Sequence, residues 1–438
     1  MNADEEKLFL DAKKVLEKNW RGKYTIPSPK LYPHQWSWDS GFISVGYSRY
    51  DQKKAQKELL SMFEGQWTNG MLPHVIFRGG KGYFPGAEYW QSELSEFSTE
   101  NTSGITQPPI HAIAAWNVYD HSKEKKEARS FLEEIFPKIL LFHRYLLTKR
   151  DQENSGLVSI FHPWESGLDN SLRWDEPLAR IEVKDLPEYK REDTERVNSD
   201  QRPTDDDYDR YIYLVEIMKK YKYEDEKVYE KIPFKVKDII FNSILYAANK
   251  AMLKIADIIG EDKNEIETWI QRTKGNYLSY FCPEAPENLL LYDYDLVAKK
   301  SIVKRTAASL VSLCTDLLSQ EQAEMLASWM KHSHMCKENC THDHPVFTSV
   351  SVDALQFNPL NYWRGPVWIN INWMLYGGLK NYGFYEDASN LKKSVIDLIK
   401  EHGFYEYYNP LSGKGLGADN FSWTASLLID LLSEKDNR

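Results

Sequence analysis

The chain has 438 residues, of which 42% are hydrophobic and 27% charged, so it has the composition of a globular protein with ample material for a core. A net charge of −10 without any basic stripe argues against binding to nucleic acid. No apolar run approaches the roughly 18–20 residues of a membrane span, and the charged first residues are not typical of a signal peptide. Four cysteines do not make a disulfide framework in a chain of this size. We therefore expect a cytoplasmic protein without a nucleic-acid or membrane partner.

Apolar residues recur at helical spacing along most of the chain. This periodicity predicts a first helix over 5–19 and a second that follows Ser37 or Asp39 and ends at Tyr50. Further helices are predicted over 51–66, 106–120, 126–149, 238–259, 304–318, 320–332, 366–381, 386–401 and 419–432. Alternation typical of strands is weak. Helical hairpins repeated about six times, with the aromatic loops at one end, would form an all-α (α/α)6 barrel, although an α-solenoid gives a similar helix count.

The predicted organisation is a single domain over 1–438. A charged, loop-like segment runs from about 174 to 210, and we expect a loop-rich insertion at about 174–235 that covers the end of the barrel carrying the loops. Such an insertion would act as a lid, or as a contact surface in a homo-oligomer.

Aromatic residues make up 13% of the chain, with 14 Trp and 27 Tyr, and many lie in short polar segments. This pattern favours a binding cleft, although large helices packed with aromatic side chains would give the same composition. Residues 31–42 alternate rings with hydrogen-bonding groups that could hold a sugar: Tyr32, Gln35, Trp36, Trp38 and Asp39. Further rings lie at or before the start of the helix predicted at 366–381: Tyr362, Trp363 and Trp368.

Residues 161–171 place two carboxylates, Glu165 and Asp169, beside a tryptophan. Apolar surroundings keep a carboxyl group protonated, and an indole stacks on the C–H face of a pyranose, so the segment is suited to sugar chemistry. The alternative is that Asp169 caps a helix and Glu165 is a solvated acid. Another acid, Glu406, lies among four rings in the loop at 403–417. Glycoside hydrolysis needs two carboxyl groups flanking the scissile bond, and Asp169 and Glu406 are our candidates.

The run at 332–344 contains a C-x3-C motif flanked by four histidines. Ligands at this density could bind zinc, but the spacing is not that of a standard zinc finger or ribbon. Its Glu-Asn interior suits a solvated loop. We expect no metal there.

Four segments, in this order, resemble glycoside hydrolase family 63, and within it the bacterial mannosylglycerate and glucosylglycerate hydrolases. They are YPHQWSWDSGF at 32–42, HPWESGLDNS at 162–171, YWRGPVWIN at 362–370 and GFYEYYNP at 403–410, with FSWTA following at 421–425. The similarity spans about residues 30–425. It implies an inverting α-glycosidase on an (α/α)6 barrel, with neither a metal nor an organic cofactor.

The resemblance also implies roles for individual residues. Asp169 would be the general acid and Glu406 the general base. The sugar would be held by Tyr32, Gln35, Trp36, Trp38, Asp39, Trp363 and Trp368. Trp164 and Glu165 would lie beside the acid, where Glu165 would hold a sugar hydroxyl. Arg202, Tyr208 and Tyr362 would contact the aglycone, where a guanidinium suits a carboxylate.

Other functions stay open at this point. The substrate could be a neutral α-glucoside such as trehalose, in which case loss of Arg202 would matter little. A non-catalytic sugar-binding protein would have little reason to keep both acids in intact loops. A sugar isomerase or epimerase would use a pair of histidines, and no pair in the aromatic loops fits better than the carboxylates.

Overall fold

The computed structural model describes residues 1–79, 83–282, 289–331 and 346–434. In these residues the helices are α1 (Ala3–Asn19), α2 (Ser37–Ser48), α3 (Gln52–Met62), α4 (Ala87–Trp90), α5 (His111–His121), α6 (Lys125–Lys149), α7 (Asp175–Ala179), α8 (Asp193–Arg196), α9 (Asp205–Lys220), α10 (Asp225–Lys231), α11 (Ile239–Ile259), α12 (Asn264–Phe281), α13 (Ala308–Val311), α14 (Gln320–Lys331), α15 (Ile369–Asn381), α16 (Tyr385–His402) and α17 (Ser422–Ser433). The run at 332–344 lies outside the described residues.

Among the helices of the described residues, twelve form two concentric rings. In the inner ring, α2 contacts α5, α5 contacts α11, and the contacts continue through α13, α15 and α17 back to α2. Each inner helix is backed by one outer helix: α3, α6, α12, α14, α16 and α1, in the same order. The arrangement is an (α/α)6 barrel, so the predicted fold is confirmed. Its last hairpin joins the two ends of the chain, because α1 packs on α17.

Residue type decides which helix is inside. Every residue of α2 is buried, and α17 is buried from Ser422 to Leu432. Outer helices such as α16 instead keep a charged face toward solvent. Gly46 lets α2 approach α17, since a Cβ on this glycine would lie 2.5 Å from the backbone oxygen of Ser426. Larger side chains here would force the two inner helices apart.

Connections differ in length at the two ends of the barrel. Inner helices pass to outer ones through short loops, such as 49–51 and 122–124. Outer helices return to inner ones through long connections, such as 63–110, 150–238 and 403–421. These long connections precede the inner helices, so they gather at the N-terminal end of the inner ring.

In the described residues the strands lie in these long connections and form small antiparallel sheets. They are β1 (Gln35–Trp36), β2 (Val75–Ile76), β3 (Val236–Lys237), β4 (Asp293–Asp295), β5 (Lys300–Ile302), β6 (Tyr405–Tyr408) and β7 (Gly415–Asp419). The sheets are β1–β2, β3–β4–β5 and β6–β7. In the first of them Trp36 pairs with Val75, and in the last Tyr407 pairs with Leu416.

Some local predictions were wrong. The insertion at 174–235, expected to be loop-rich, contains α9, which buries Tyr211, Leu214 and Met218 at helical spacing and is capped by Thr204. The helix predicted over 304–318 is reduced to α13 and a 3₁₀ turn, because Thr306 pairs with Val350. The helix after Pro366 begins only at Ile369, because the backbone of Val367 bonds to that of Tyr408. No pattern predicted α12.

Within the described ranges, no helix combines the length and the apolar character that crossing a membrane requires.

Candidate active site

A narrow cavity of about 90 Å³ lies among the long connections at the N-terminal end of the inner helices. Its lining combines carboxyl groups, one guanidinium and aromatic rings. The predicted residues that line it are Tyr32, Trp36, Trp38, Asp39, Trp164, Asp169, Arg202, Tyr208, Tyr362, Trp363 and Glu406. Segments that are far apart in the sequence therefore meet in one place.

Glu406 lies on β6 and is held by the protein through both carboxyl oxygens. Tyr32 donates its hydroxyl to Oε1 at 2.7 Å, and the backbone N–H of Ala418 donates to Oε2 at 3.0 Å. Burial raises the pKa of Glu406, while Arg202 and these hydrogen bonds act in the opposite direction. The hydrogen bonds favour the ionised form of this carboxyl group.

Asp169 follows a tight turn that places its carboxyl group at the cavity. The turn depends on Gly167, which has φ 73° and whose Cβ would lie 2.5 Å from the ring of Trp38. Burial raises the pKa of Asp169 to about 7, and the negative charge of Glu406 adds to the rise while Arg202 opposes it. A large fraction of this carboxyl group is therefore protonated near neutral pH.

A further carboxyl group, Asp39, lies in the first turn of α2 and is 4% exposed. Burial and the charge of Glu406 hold the pKa of Asp39 well above its usual range. Three acidic side chains thus share the cavity with one guanidinium, that of Arg202.

Arg202 lies between the acids and a second network of charges. Its Nη1 donates to the hydroxyl of Tyr32 at 3.1 Å, and its guanidinium carbon lies 4.3 Å from the centre of the Tyr362 ring. Its Nε donates to Asp193 at 2.9 Å, and Arg191 also binds Asp193. The neighbouring carboxylates and phenols raise the pKa of Arg202 despite its burial, so it stays charged.

Flat rings form one wall of the cavity. Trp363 stacks on Trp368 with ring centres 3.6 Å apart and an angle of 4° between the planes. Trp368 also stacks on Tyr407, and its indole N–H donates to the backbone oxygen of Tyr362 at 3.0 Å. Trp368 therefore does not line the cavity as expected; it lies behind Trp363 and fixes the orientation of that ring.

Gln35 does not reach the cavity either. Successive side chains of a strand point to opposite faces, so β1 directs Trp36 toward the cavity and Gln35 away from it. The amide of Gln35 donates to the hydroxyls of Ser40 and Ser61, and its oxygen accepts from Arg78. All of these contacts lie on the face of β1 that points away from the cavity.

Glu165 is fully buried beside the cavity and does not line it. Its carboxylate forms an ion pair with Arg150 at 2.9 Å and accepts the backbone N–H groups of Phe161 and Thr106. The expected contact with a sugar hydroxyl is therefore replaced by a contact that ties the connection before α5 to the segment carrying Asp169.

The structure adds lining residues that the sequence did not single out: His74, Tyr83, Trp90, Gln107, Phe421 and Trp423. Burial holds the pKa of His74 well below its ordinary value, so this imidazole is neutral. Gln107 accepts the backbone N–H of Trp38 through its side-chain oxygen. Signals were present for some of them, since Trp423 lies in the FSWTA motif and Trp90 ends an irregular, glycine-rich segment.

A helical barrel whose cavity combines carboxyl groups in different environments with ring faces has the site of a carbohydrate-processing enzyme. The family model of the mannosylglycerate hydrolase MGH1-like glycoside hydrolase domain matches residues 32–424. The chain belongs to this family of glycoside hydrolases, within family 63, and is an O-glycosyl hydrolase. The predicted resemblance is confirmed, and a non-catalytic binding protein or an isomerase is set aside.

Characterised relatives cover almost the whole chain. Mannosylglycerate hydrolase from Thermus thermophilus is 41% identical over 96% of this chain and 99% of its own length. Glucosylglycerate hydrolase from Mycolicibacterium hassiacum is 33% identical over 95% of this chain and 96% of its own length. The crystal structure of a family 63 mannosylglycerate hydrolase from Thermus thermophilus, in complex with Tris and D-glycerate, superposes with a TM-score of 0.90 at 40% identity, over 97% of this chain and 99% of that one.

Proposed function

We propose that this enzyme is an inverting α-glycoside hydrolase that releases a hexose from mannosylglycerate or glucosylglycerate, with Asp169 as general acid and Glu406 as general base. The observation that carries the proposal is that two carboxyl groups in different environments line the same cavity, one wall of which is formed by aromatic rings. The names of relatives of both kinds, mannosylglycerate and glucosylglycerate hydrolases, support the substrate class.

The environments favour this division of roles. A general acid must be protonated before the reaction, and the pKa of Asp169 is raised to about 7. A general base must be ionised, and the hydrogen bonds from Tyr32 and Ala418 favour the ionised Glu406. Asp169 would give its proton to the leaving oxygen while Glu406 activates a water on the opposite face of the sugar.

Arg202 would recognise the carboxylate of the aglycone. Two of its nitrogens already donate to Asp193 and Tyr32, whereas Nη2 makes no hydrogen bond to the residues that the structure describes. A charged donor in a buried cavity of an acidic protein is suited to hold an anionic substrate. Tyr208 and Tyr362 line the same side of the cavity.

The test is hydrolysis of three substrates by the wild-type enzyme and by Arg202→Ala. The substrates are glucosylglycerate, its neutral analogue glucosylglycerol, and trehalose. Because a hydrogen bond to a charged group is worth about 1.5–3 kcal/mol, we expect the substitution to lower kcat/KM for glucosylglycerate by about 10- to 100-fold more than for glucosylglycerol. Equal losses on both substrates would remove Arg202 from aglycone recognition, and hydrolysis of trehalose alone would contradict the proposed substrate.

We also propose that the whole chain is one catalytic domain and that the region at 174–235 covers the cavity. Support comes from Arg202 and Tyr208, which lie in this region and line the cavity. A cytoplasmic location and a homo-oligomeric state remain predictions from sequence, and light scattering during gel filtration tests the second.

A further inference from the structure

A second and larger cavity, of about 650 Å³, opens at the other end of the barrel; we call it the lower cavity. It is lined by residues along α5, α11 and α15 and by the ends of the inner helices and the loops after them, including Arg49 after α2, His121 of α5 and Tyr382 after α15. The catalytic cavity is instead lined by the first turns of α2 and α17 and the connections before them. The catalytic cavity therefore lies at the N-terminal end of the inner ring, and the lower cavity extends into the ring from the opposite end.

The lower cavity has an apolar floor and an aromatic wall. Ile110, Ile113 and Ile244 lie on its surface, and its rings include Trp116 and Trp373. Both tryptophans are only partly buried. Partly exposed indole rings beside an apolar floor are suited to the C–H face of a sugar ring.

The cationic and acidic side chains of the lower cavity are equal in number, and most of them are paired. Four lining cations, Arg49, Lys250, Lys254 and Lys380, meet four acids, Asp120, Asp316, Asp430 and Glu434. Arg49 binds Asp430 at 2.7 Å, Lys250 binds Asp316 at 3.0 Å, and Lys380 binds Glu434. A charged ligand would have to compete with these pairs, whereas hydroxyl groups can use their remaining donors and acceptors.

The wall contains a glycine that neither packing nor backbone conformation requires. Gly377 lies in the interior of α15, and a Cβ added there would meet no atom within 4 Å. Its φ is not positive, and glycine in a helix interior is destabilising relative to alanine. What the glycine does provide is space, because any longer side chain at this position would extend into the lower cavity.

A chain of aromatic ring contacts connects the two cavities. Trp38 of the catalytic cavity packs on Phe42 with ring centres 5.5 Å apart, and Phe42 packs on Trp373 of the lower cavity at 6.0 Å. A ligand that contacts Trp373 would therefore lie two ring contacts away from Trp38 in the catalytic cavity.

We propose that the lower cavity is a second carbohydrate site, which takes a neutral mono- or disaccharide. The rings and apolar floor stack on the sugar, the paired charges bind its hydroxyl groups, and Gly377 keeps the space open. The site is separate from catalysis, so its existence does not depend on the proposed substrate.

Calorimetric titration of the Asp169→Asn protein, which should not hydrolyse the ligand, tests this site. The probes are glucose, mannose, maltose and trehalose. We expect at least one to bind, and we expect Gly377→Phe to weaken that binding by about tenfold or more because the ring fills the cavity. Asp39→Asn should affect only binding at the catalytic cavity, so the two sites are distinguished.

Three further variants make the result decisive. Gly377→Ala should retain the binding and raise the melting temperature, and Gly377→Phe in the otherwise wild-type chain should keep its hydrolytic rate. Trp116→Ala should weaken binding without filling the cavity. This variant tests the site even if the Gly377→Phe protein does not fold. Identical isotherms with and without the Gly377→Phe substitution, or no binding of any probe at millimolar concentration, would overturn the proposal. Glucose 6-phosphate serves as a charged comparison probe. If it alone binds, and added salt abolishes this binding, the proposal that the ligand is neutral is overturned.

Discussion

At the scale of single residues, Asp169 and Glu406 differ in what surrounds their carboxyl groups. Burial raises the pKa of both groups, but Glu406 accepts hydrogen bonds from Tyr32 and Ala418 that favour its ionised form. At Asp169, Arg202 opposes the rise and the charge of Glu406 adds to it. Two acids of the same chemistry can thereby hold different protonation states at the same pH.

Replacing either acid tests this division. We expect Asp169→Asn and Glu406→Gln each to lower kcat by about 10²- to 10⁴-fold, the range that general acid–base catalysis contributes. Circular dichroism should show unchanged folding. Glu386→Gln, at an exposed position on α16, is the matched control and should keep full activity. Near wild-type turnover in either active-site variant would contradict the assigned role.

The pH dependence of kcat/KM follows from the same two groups. Asp169 must be protonated, so activity should fall as the pH rises through its pKa of about 7. Glu406 must be ionised, so activity should also fall as the pH drops through its raised pKa. The profile should be a bell with its alkaline limb near neutral pH. A rate that stays constant from neutral to alkaline pH would be incompatible with Asp169 as the acid.

At the scale of elements, the sequence predicted most long helices and the segments that carry the site. Helical periodicity is strong in α1, α6 and α16 because each buries one continuous stripe. It could not predict which ring or amide in residues 31–42 faces the ligand, because β1 has only two residues and its register depends on β2. The contacts of Gln35, Glu165 and Trp368 likewise depend on distant segments.

Glu165 and Arg150 show how one element supports another. The pair joins the end of α6 to the turn before Asp169 and is almost completely buried. We expect Glu165→Ala to lower the free energy of unfolding by about 3–5 kcal/mol, because it leaves a buried guanidinium without its main partner. The exposed pair of Arg144 and Glu265 is the matched control, and Glu265→Ala should cost less than about 1 kcal/mol. Denaturant titration measures both; equal effects would mean that Glu165 has no special structural role.

At the scale of the whole molecule, the first and last helices complete the barrel. The side-chain nitrogen of Asn19, at the end of α1, donates to the backbone oxygen of Asn420 at 2.8 Å and to the hydroxyl of Ser422 at 2.9 Å. Ser422 begins α17 and precedes Trp423, a lining residue of the catalytic cavity. The active site therefore depends on contact between the two ends of the chain.

One catalytic domain, as proposed above, should unfold in one step. We expect one calorimetric transition whose van't Hoff enthalpy equals the measured enthalpy. Asn19→Ala should lower the transition temperature without splitting the transition. A separate, earlier transition for the region at 174–235 would instead mean that this region is an independent unit.

The most direct test of the central claim is a proton NMR time course of the purified enzyme with mannosylglycerate and glucosylglycerate. The proposed mechanism predicts that free glycerate accumulates together with the β-anomer of the hexose, which then slowly converts to the equilibrium mixture. Release of the α-anomer first would require a retaining mechanism and would contradict the roles of Asp169 and Glu406. Absence of any cleavage of either substrate would contradict the proposed function.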